Sequence, residues 1–124
     1  MQLQLLNPYQ SNLVTARNAR EDLDIDSILA GCNQVEEQAN NLDYCIRNMN
    51  MVKSNFGDDS ISIDGKNVIS GNIEDYSTAL ENTKNSILNA VQEIRVAAVN
   101  KFNAMQDVYN GLAVSQEEQM INQG

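Results

Sequence analysis

Between Ile25 and Phe56 the apolar residues recur in alternating steps of three and four: Ile25, Ile28, Cys32, Val35, Ala39, Leu42, Ile46, Met49, Lys53 and Phe56. Nine of these ten positions are apolar, whereas the segment's other 22 residues include only Leu29, Ala30, Tyr44, Cys45, Met51 and Val52. The pattern is therefore more than a by-product of composition. Steps of three and four hold one stripe on one side of an α-helix, whereas a half-buried strand would need strict alternation. One helix is predicted over 24–55, opened by Asp22, Asp24 and Asp26. Their carboxylates can cap free amides and meet the positive end of the helix dipole. Gly31 inside it costs about 1 kcal/mol relative to Ala, or else admits the close approach of a neighbour.

A second periodic run, Ile73, Tyr76, Leu80, Ile87, Val91, Ile94, Ala98, Phe102, Met105, Tyr109 and Leu112, predicts a helix over 73–113, with Asn72 and Asp75 as its capping pair. Leu88, Val96, Ala97, Val99 and Val108 widen its apolar face beyond what a single facing helix covers. A short first helix or a second molecule must cover the remainder. Asn7-Pro8-Tyr9-Gln10 has the signature of a helix start, so a helix is expected over 8–20 with Tyr9, Leu13 and Ala16 on its apolar edge. Gly57-Asp58-Asp59 ends the first long helix, and residues 60–69, alternating around Asp64-Gly65, predict a small β-hairpin. The polar tail 114–124 is expected to fray. Helices of roughly 48 and roughly 60 Å can lie side by side. The fold class that follows is all-α: one domain spanning 1–124, an antiparallel helical hairpin with a β-turn insertion at its tip.

Composition excludes several functions. Histidine is absent, which removes the usual general base near neutral pH and every His-containing zinc site or triad. Cys32 and Cys45, 13 residues apart, would lie roughly 20 Å apart on one helix, too far for a disulfide, and read as buried free thiols. Asp22-x-Asp24-x-Asp26 opens like a calcium loop, but Ser27 stands where the turn glycine belongs and Asn33 where the bidentate Glu belongs. Helix capping accounts for it. Gly65-Lys66 lacks the strand and spacing of a phosphate loop. No metal, cofactor or catalytic residue is expected. A net charge of −9 disfavours nucleic acid and anionic membranes, and no apolar run approaches the roughly 20 residues of a bilayer span. The start, Met1 to Leu6, lacks the basic and apolar regions of a secretory signal, so synthesis in the cytoplasm is expected.

An acidic chain of two long antiparallel helices punctuated at Phe56-Gly57 resembles the Trp-X-Gly family of small type VII secretion proteins, and more closely the helical partners encoded beside Leu-X-Gly toxins. The resemblance covers roughly residues 9 to 113. Tryptophan is absent, and the family's C-terminal Tyr-x-x-x-Asp or Tyr-x-x-x-Glu signal is not met, since Tyr109 is followed by Ala113 and Phe102 by Gln106. The resemblance implies a partner or targeting subunit that pairs with another helical protein, such as a toxin's N-terminal helical domain, and that is exported with it. An adaptor or chaperone retained in the cytoplasm would use the same helices. The surplus apolar face of the second helix selects Val91, Ile94, Ala98, Phe102, Met105 and Tyr109 as the partner-binding residues, in a hetero- or homo-oligomer.

Overall fold

The computed structural model describes residues 3–55 and 63–123, and for residues 63–70 it describes the backbone alone. It is all-helical in its long elements: α1 is Ile25–Asn55 and α2 is Ile63–Gln123. No helix among the described residues is long and apolar enough to cross a membrane. The contacts group the chain into two compact units, one of residues 1–32 with 92–124 and one of residues 33–91.

The α1 boundary follows the heptad pattern and its cap. Asp24 accepts the Ser27 N–H at 3.2 Å and the Ser27 hydroxyl at 2.7 Å, which satisfies a first-turn amide that has no helical partner. These bonds hold the Asp24 carboxyl below its ordinary range. Asp22 and Asp26 are occupied elsewhere, by Arg17 and Arg20 respectively, so all three aspartates of the cluster have structural work.

In the unit of residues 33–91 the two helices run antiparallel. Three polar contacts record the register: Lys84 to Asp43 at 2.8 Å, Ser77 to Asn50 at 3.4 Å, and Lys53 to Glu74. Lys84 is held protonated chiefly by its hydrogen bond to Asp43. Ala39 and Val91 are buried, with Leu42, Ile46, Met49, Leu80 and Ile87 half-buried. Among the described residues of this unit the seam thus faces inward, with the exception of Val35, which is exposed.

The unit of residues 1–32 with 92–124 departs most from expectation. The helix expected over 8–20 is replaced by an irregular strap containing a tight hairpin and the single 3-10 turn Ala19–Glu21. Ala16 N–H donates to the Tyr9 carbonyl, Ser11 N–H donates to the Val14 carbonyl, and Gln10 pairs with Thr15. The reason is local competition for the backbone. Ser11 Oγ accepts the N–H groups of Leu13 and Val14, and Asn18 accepts the N–H of Arg20, so both side chains stabilise turns at the expense of helix. Two apolar clusters form beneath the strap. Ala19, Ile25 and Phe102 are fully buried, packed round by Leu5, Leu23, Leu29, Ala98, Met105 and Tyr109, while Val14, Ala16 and Ala113 form the second with Tyr9. Burying a side chain the size of Phe102 or Ile25 contributes about 1.5–3 kcal/mol.

Four further expectations are corrected. Residues 63–69 are helical, so the β-hairpin expected over 60–69 does not form there, and its remainder lies outside the described residues. Ile69 and Ile73, four apart, carry a helical spacing that the short Ser-Ile alternation concealed. Ser70-Gly71-Asn72 does not interrupt α2, and the tail expected to fray is helical to Gln123. Ala113 is buried and Glu117 accepts two hydroxyls from the strap, which ties the tail down. Finally, Cys32 is buried but Cys45 is exposed.

Candidate docking face

The residues expected to bind a partner are placed mainly in the interior. Phe102 and Val91 are buried, and Ala98, Met105 and Tyr109 pack around the Phe102 cluster. Ile94 alone of the six is exposed, at 54%. Around Phe102 the surplus apolar face of α2 is therefore covered by the chain itself, by Leu5, Ala19 and Leu23 of the N-terminal strap and by Ile25 and Leu29 of α1.

The device that holds the strap is polar. Leu6 N–H donates to Asn103 Oδ1 at 2.8 Å while Asn103 Nδ2 donates to the Gln4 carbonyl at 2.9 Å. Tyr9 N–H donates to Asn110 Oδ1 at 2.7 Å while Asn110 Nδ2 donates to the Asn7 carbonyl at 3.1 Å. Ala19 N–H donates to Gln106 Oε1 while Gln106 Nε2 donates to the Arg17 carbonyl, both at 2.9 Å. Each carboxamide on α2 thus takes the N–H of one strap residue and gives to the carbonyl two residues earlier. Alternation with period two puts those two groups on one edge of an extended chain. Spacings of three and four along α2 put the three carboxamides on one face. Gln106 is fully buried, and no buried side-chain polar atom among the described residues lacks a partner.

Two carboxylates lock the ends. Asp22 accepts Arg17 through two nitrogens, at 2.8 and 2.9 Å, and the Tyr109 hydroxyl at 2.6 Å. The guanidinium, then the hydroxyl, hold the Asp22 carboxyl well below the ordinary carboxylate range, and the same bond to Asp22 raises the Tyr109 phenol. At the other end Glu117 accepts the Tyr9 and Ser11 hydroxyls at 2.9 and 2.6 Å, and the bond from Tyr9 to this carboxylate raises the Tyr9 phenol. Arg20, paired with Asp26, lies 5.5 Å over the Phe102 ring and closes the cluster from outside.

Sequence reasoning missed this ladder because it gave Asn103, Gln106 and Asn110 no role and placed Glu117 in a tail expected to fray. The available signal was their phase: they interleave with Phe102, Met105, Tyr109 and Ala113 instead of standing opposite them.

What remains open is the other side of α2. Ile94, Ala97, Lys101, Ala104, Val108 and Gly111 follow the same steps of three and four and are all exposed, with Leu112 beside them at 65%. A Cβ at Gly111 would meet nothing within 4 Å. In the unit of residues 33–91, an open groove of about 600 Å³ is lined by Tyr44, Cys45, Met49, Val52 and Ile73. Arg47 stacks over Tyr44 at 4.8 Å. Among the described residues no group of three or more potential ligands is placed to hold a metal ion. The shifted carboxylates, Asp22 and Asp24, both belong to structural hydrogen bonds. Comparison with protein-family models, curated proteins and solved structures returns no match.

Proposed function

We propose that this chain is a non-enzymatic helical binding protein that docks a helix of another helical protein on the outer face of α2. The observation that carries the reading is the exposed stripe from Ile94 to Leu112, which has the spacing of a coiled-coil seam and a single charge, Lys101. A seam left open on a helix whose opposite face is already covered in cis loses apolar surface to water, and a facing helix recovers it. The partner is a helical domain, either that of another protein such as the N-terminal domain of a type VII toxin, exported alongside it as the resemblance to Leu-X-Gly toxin partners suggests, or that of a second copy in a homo-oligomer. Docking moves from the interior residues Phe102 and Val91 to Ile94, Val108 and Leu112.

Co-expression with the neighbouring reading frames, followed by affinity capture and sizing, tests the reading. A stoichiometric complex that Ile94→Asp or Leu112→Glu abolishes supports it. Failure to capture any of those products, or capture indifferent to both substitutions, refutes it. Secretion-dependent appearance in culture supernatant tests export, and its absence assigns the chain to a cytoplasmic adaptor role.

A further inference from the structure

The stripe on α2 is built for a particular facing helix. Large and small residues alternate along it: Ile94, Val108 and the long stem of Lys101 occupy one set of positions, and Ala97, Ala104 and Gly111 the other. All six are exposed. Folding the stripe onto itself in the antiparallel sense sets Ile94 opposite Gly111, Ala97 opposite Val108, and Lys101 opposite Ala104. Every layer then joins one large residue to one small one, which lets two helices approach closely without a void or a clash. Charge agrees with shape. The side chains of Lys101 and Asp107 make no hydrogen bond or ion pair among the described residues. In that register each Lys101 lies within one helical turn of the other helix's Asp107, so two symmetric ion pairs form.

We propose that the helix received by this face is the same face of a second copy, laid antiparallel about a two-fold axis level with Phe102 and Asn103. The inference rests on the reading that this face docks a helix, and it names the partner. An isologous contact of this kind is self-complementary by construction. The layered stretch covers roughly 26 Å of helix, so the interface is at or below the low end of about 1,200 Å² and the association is weak and reversible. The net charge of −9 on each copy opposes it further.

Sedimentation equilibrium of the full chain at physiological ionic strength, from tens to hundreds of micromolar, tests the proposal. The expected result is a monomer–dimer equilibrium. Lys101→Asp or Asp107→Lys alone weakens it by about tenfold, and the double reversal restores it to within about threefold. Gly111→Leu, opposite Ile94, abolishes it. These positions are exposed, so circular dichroism of each variant matches that of the parent and excludes misfolding. A chain monomeric throughout, or a dimer indifferent to these changes, overturns the proposal. If the monomer still captures a co-expressed helical protein and Gly111→Leu abolishes that capture, the docking reading stands and the second copy is refuted. If Gly111→Leu leaves both self-association and capture unchanged, both fall.

Discussion

Replacing Gln106 by Ala tests how the strap is held. The buried carboxamide satisfies the Ala19 N–H and the Arg17 carbonyl, and also donates to Asn110 at 2.9 Å. Removing it leaves two main-chain groups without their partner, one of them on a residue that is itself fully buried. Each costs about 1–3 kcal/mol where water cannot substitute. The Arg17 side is less enclosed and can rehydrate, so the expected loss is about 3 kcal/mol in urea unfolding. There is a ceiling: once the strap peels from α2 as a unit, further damage to it no longer raises the cost. Hydrogen exchange separates the two cases, because peeling speeds the Leu6, Tyr9 and Ala19 amides together, whereas local damage speeds Ala19 alone. Gln106→Glu adds a control. The carboxylate can accept from Ala19 but cannot donate to the Arg17 carbonyl, so this variant is expected to be less stable at neutral pH than in mild acid, where protonation restores a donor. A loss below about 0.5 kcal/mol for Gln106→Ala, with Ala19 exchange unchanged, would refute the account of the strap as held by α2 carboxamides.

Gly31→Ala is expected to stabilise the chain by about 0.5–1 kcal/mol, since an added Cβ meets nothing within 4 Å; a loss in thermal unfolding would show a close approach at that position. Cys45 is expected to react with a thiol reagent within the native protein while Cys32 waits for unfolding, and equal rates by mass spectrometry would contradict the burial assigned to Cys32. Acid should loosen the strap through Asp22. Its folded pKa is depressed, so its contribution is full above the unfolded value of about 3.9 and is lost as pH falls below that towards the folded value, read as loss of Leu6 and Tyr9 amide protection; Asp22→Asn removes this part of the acid response. At the alkaline end the Tyr9 and Tyr109 phenols are raised, so the stability they contribute is present below about pH 10 and lost as pH rises through their folded values; phenolate absorbance should therefore titrate later in the native chain than in the unfolded one.

The long helices were legible because their signal is repeated: α1 begins within one residue of expectation and is helical through Asn55, as one stripe recurs over 31 residues, while the stop expected at Gly57-Asp58-Asp59 lies outside the described residues. The strap was illegible because its structure is set from afar. Besides the local turns at Ser11 and Asn18, Asn110, roughly a hundred residues away in sequence, takes the Asn7 carbonyl that would have accepted the first helical bond, and Asn103 anchors the chain just ahead of it. The extent of α2 was missed for a related reason. Ser70-Gly71-Asn72 resembles a stop, yet a glycine with open space around it costs only about 1 kcal/mol, which a helix of 61 residues absorbs. The docking face was half legible: the excess of apolar residues on the second helix was real, but periodicity reports that a residue is covered, not by what.

That distinction determines where a partner can bind. A face centred on Phe102 would suit a docking site only if the strap were absent, because three carboxamide brackets and two carboxylate locks would have to be broken before a helix could reach the ring. Evicting about twenty ordered residues returns conformational entropy, but it also strips the cover from Ile25, Phe102 and Ala113, so a partner would have to rebuild two apolar clusters to break even. The outer stripe requires no such exchange. Its side chains are already in solvent, its backbone is already helical, and its seam is already in register, so the ordering cost there is confined to side-chain rotamers. A strap that closes one face of α2 from within the chain therefore leaves the opposite face as the economical place for a second helix.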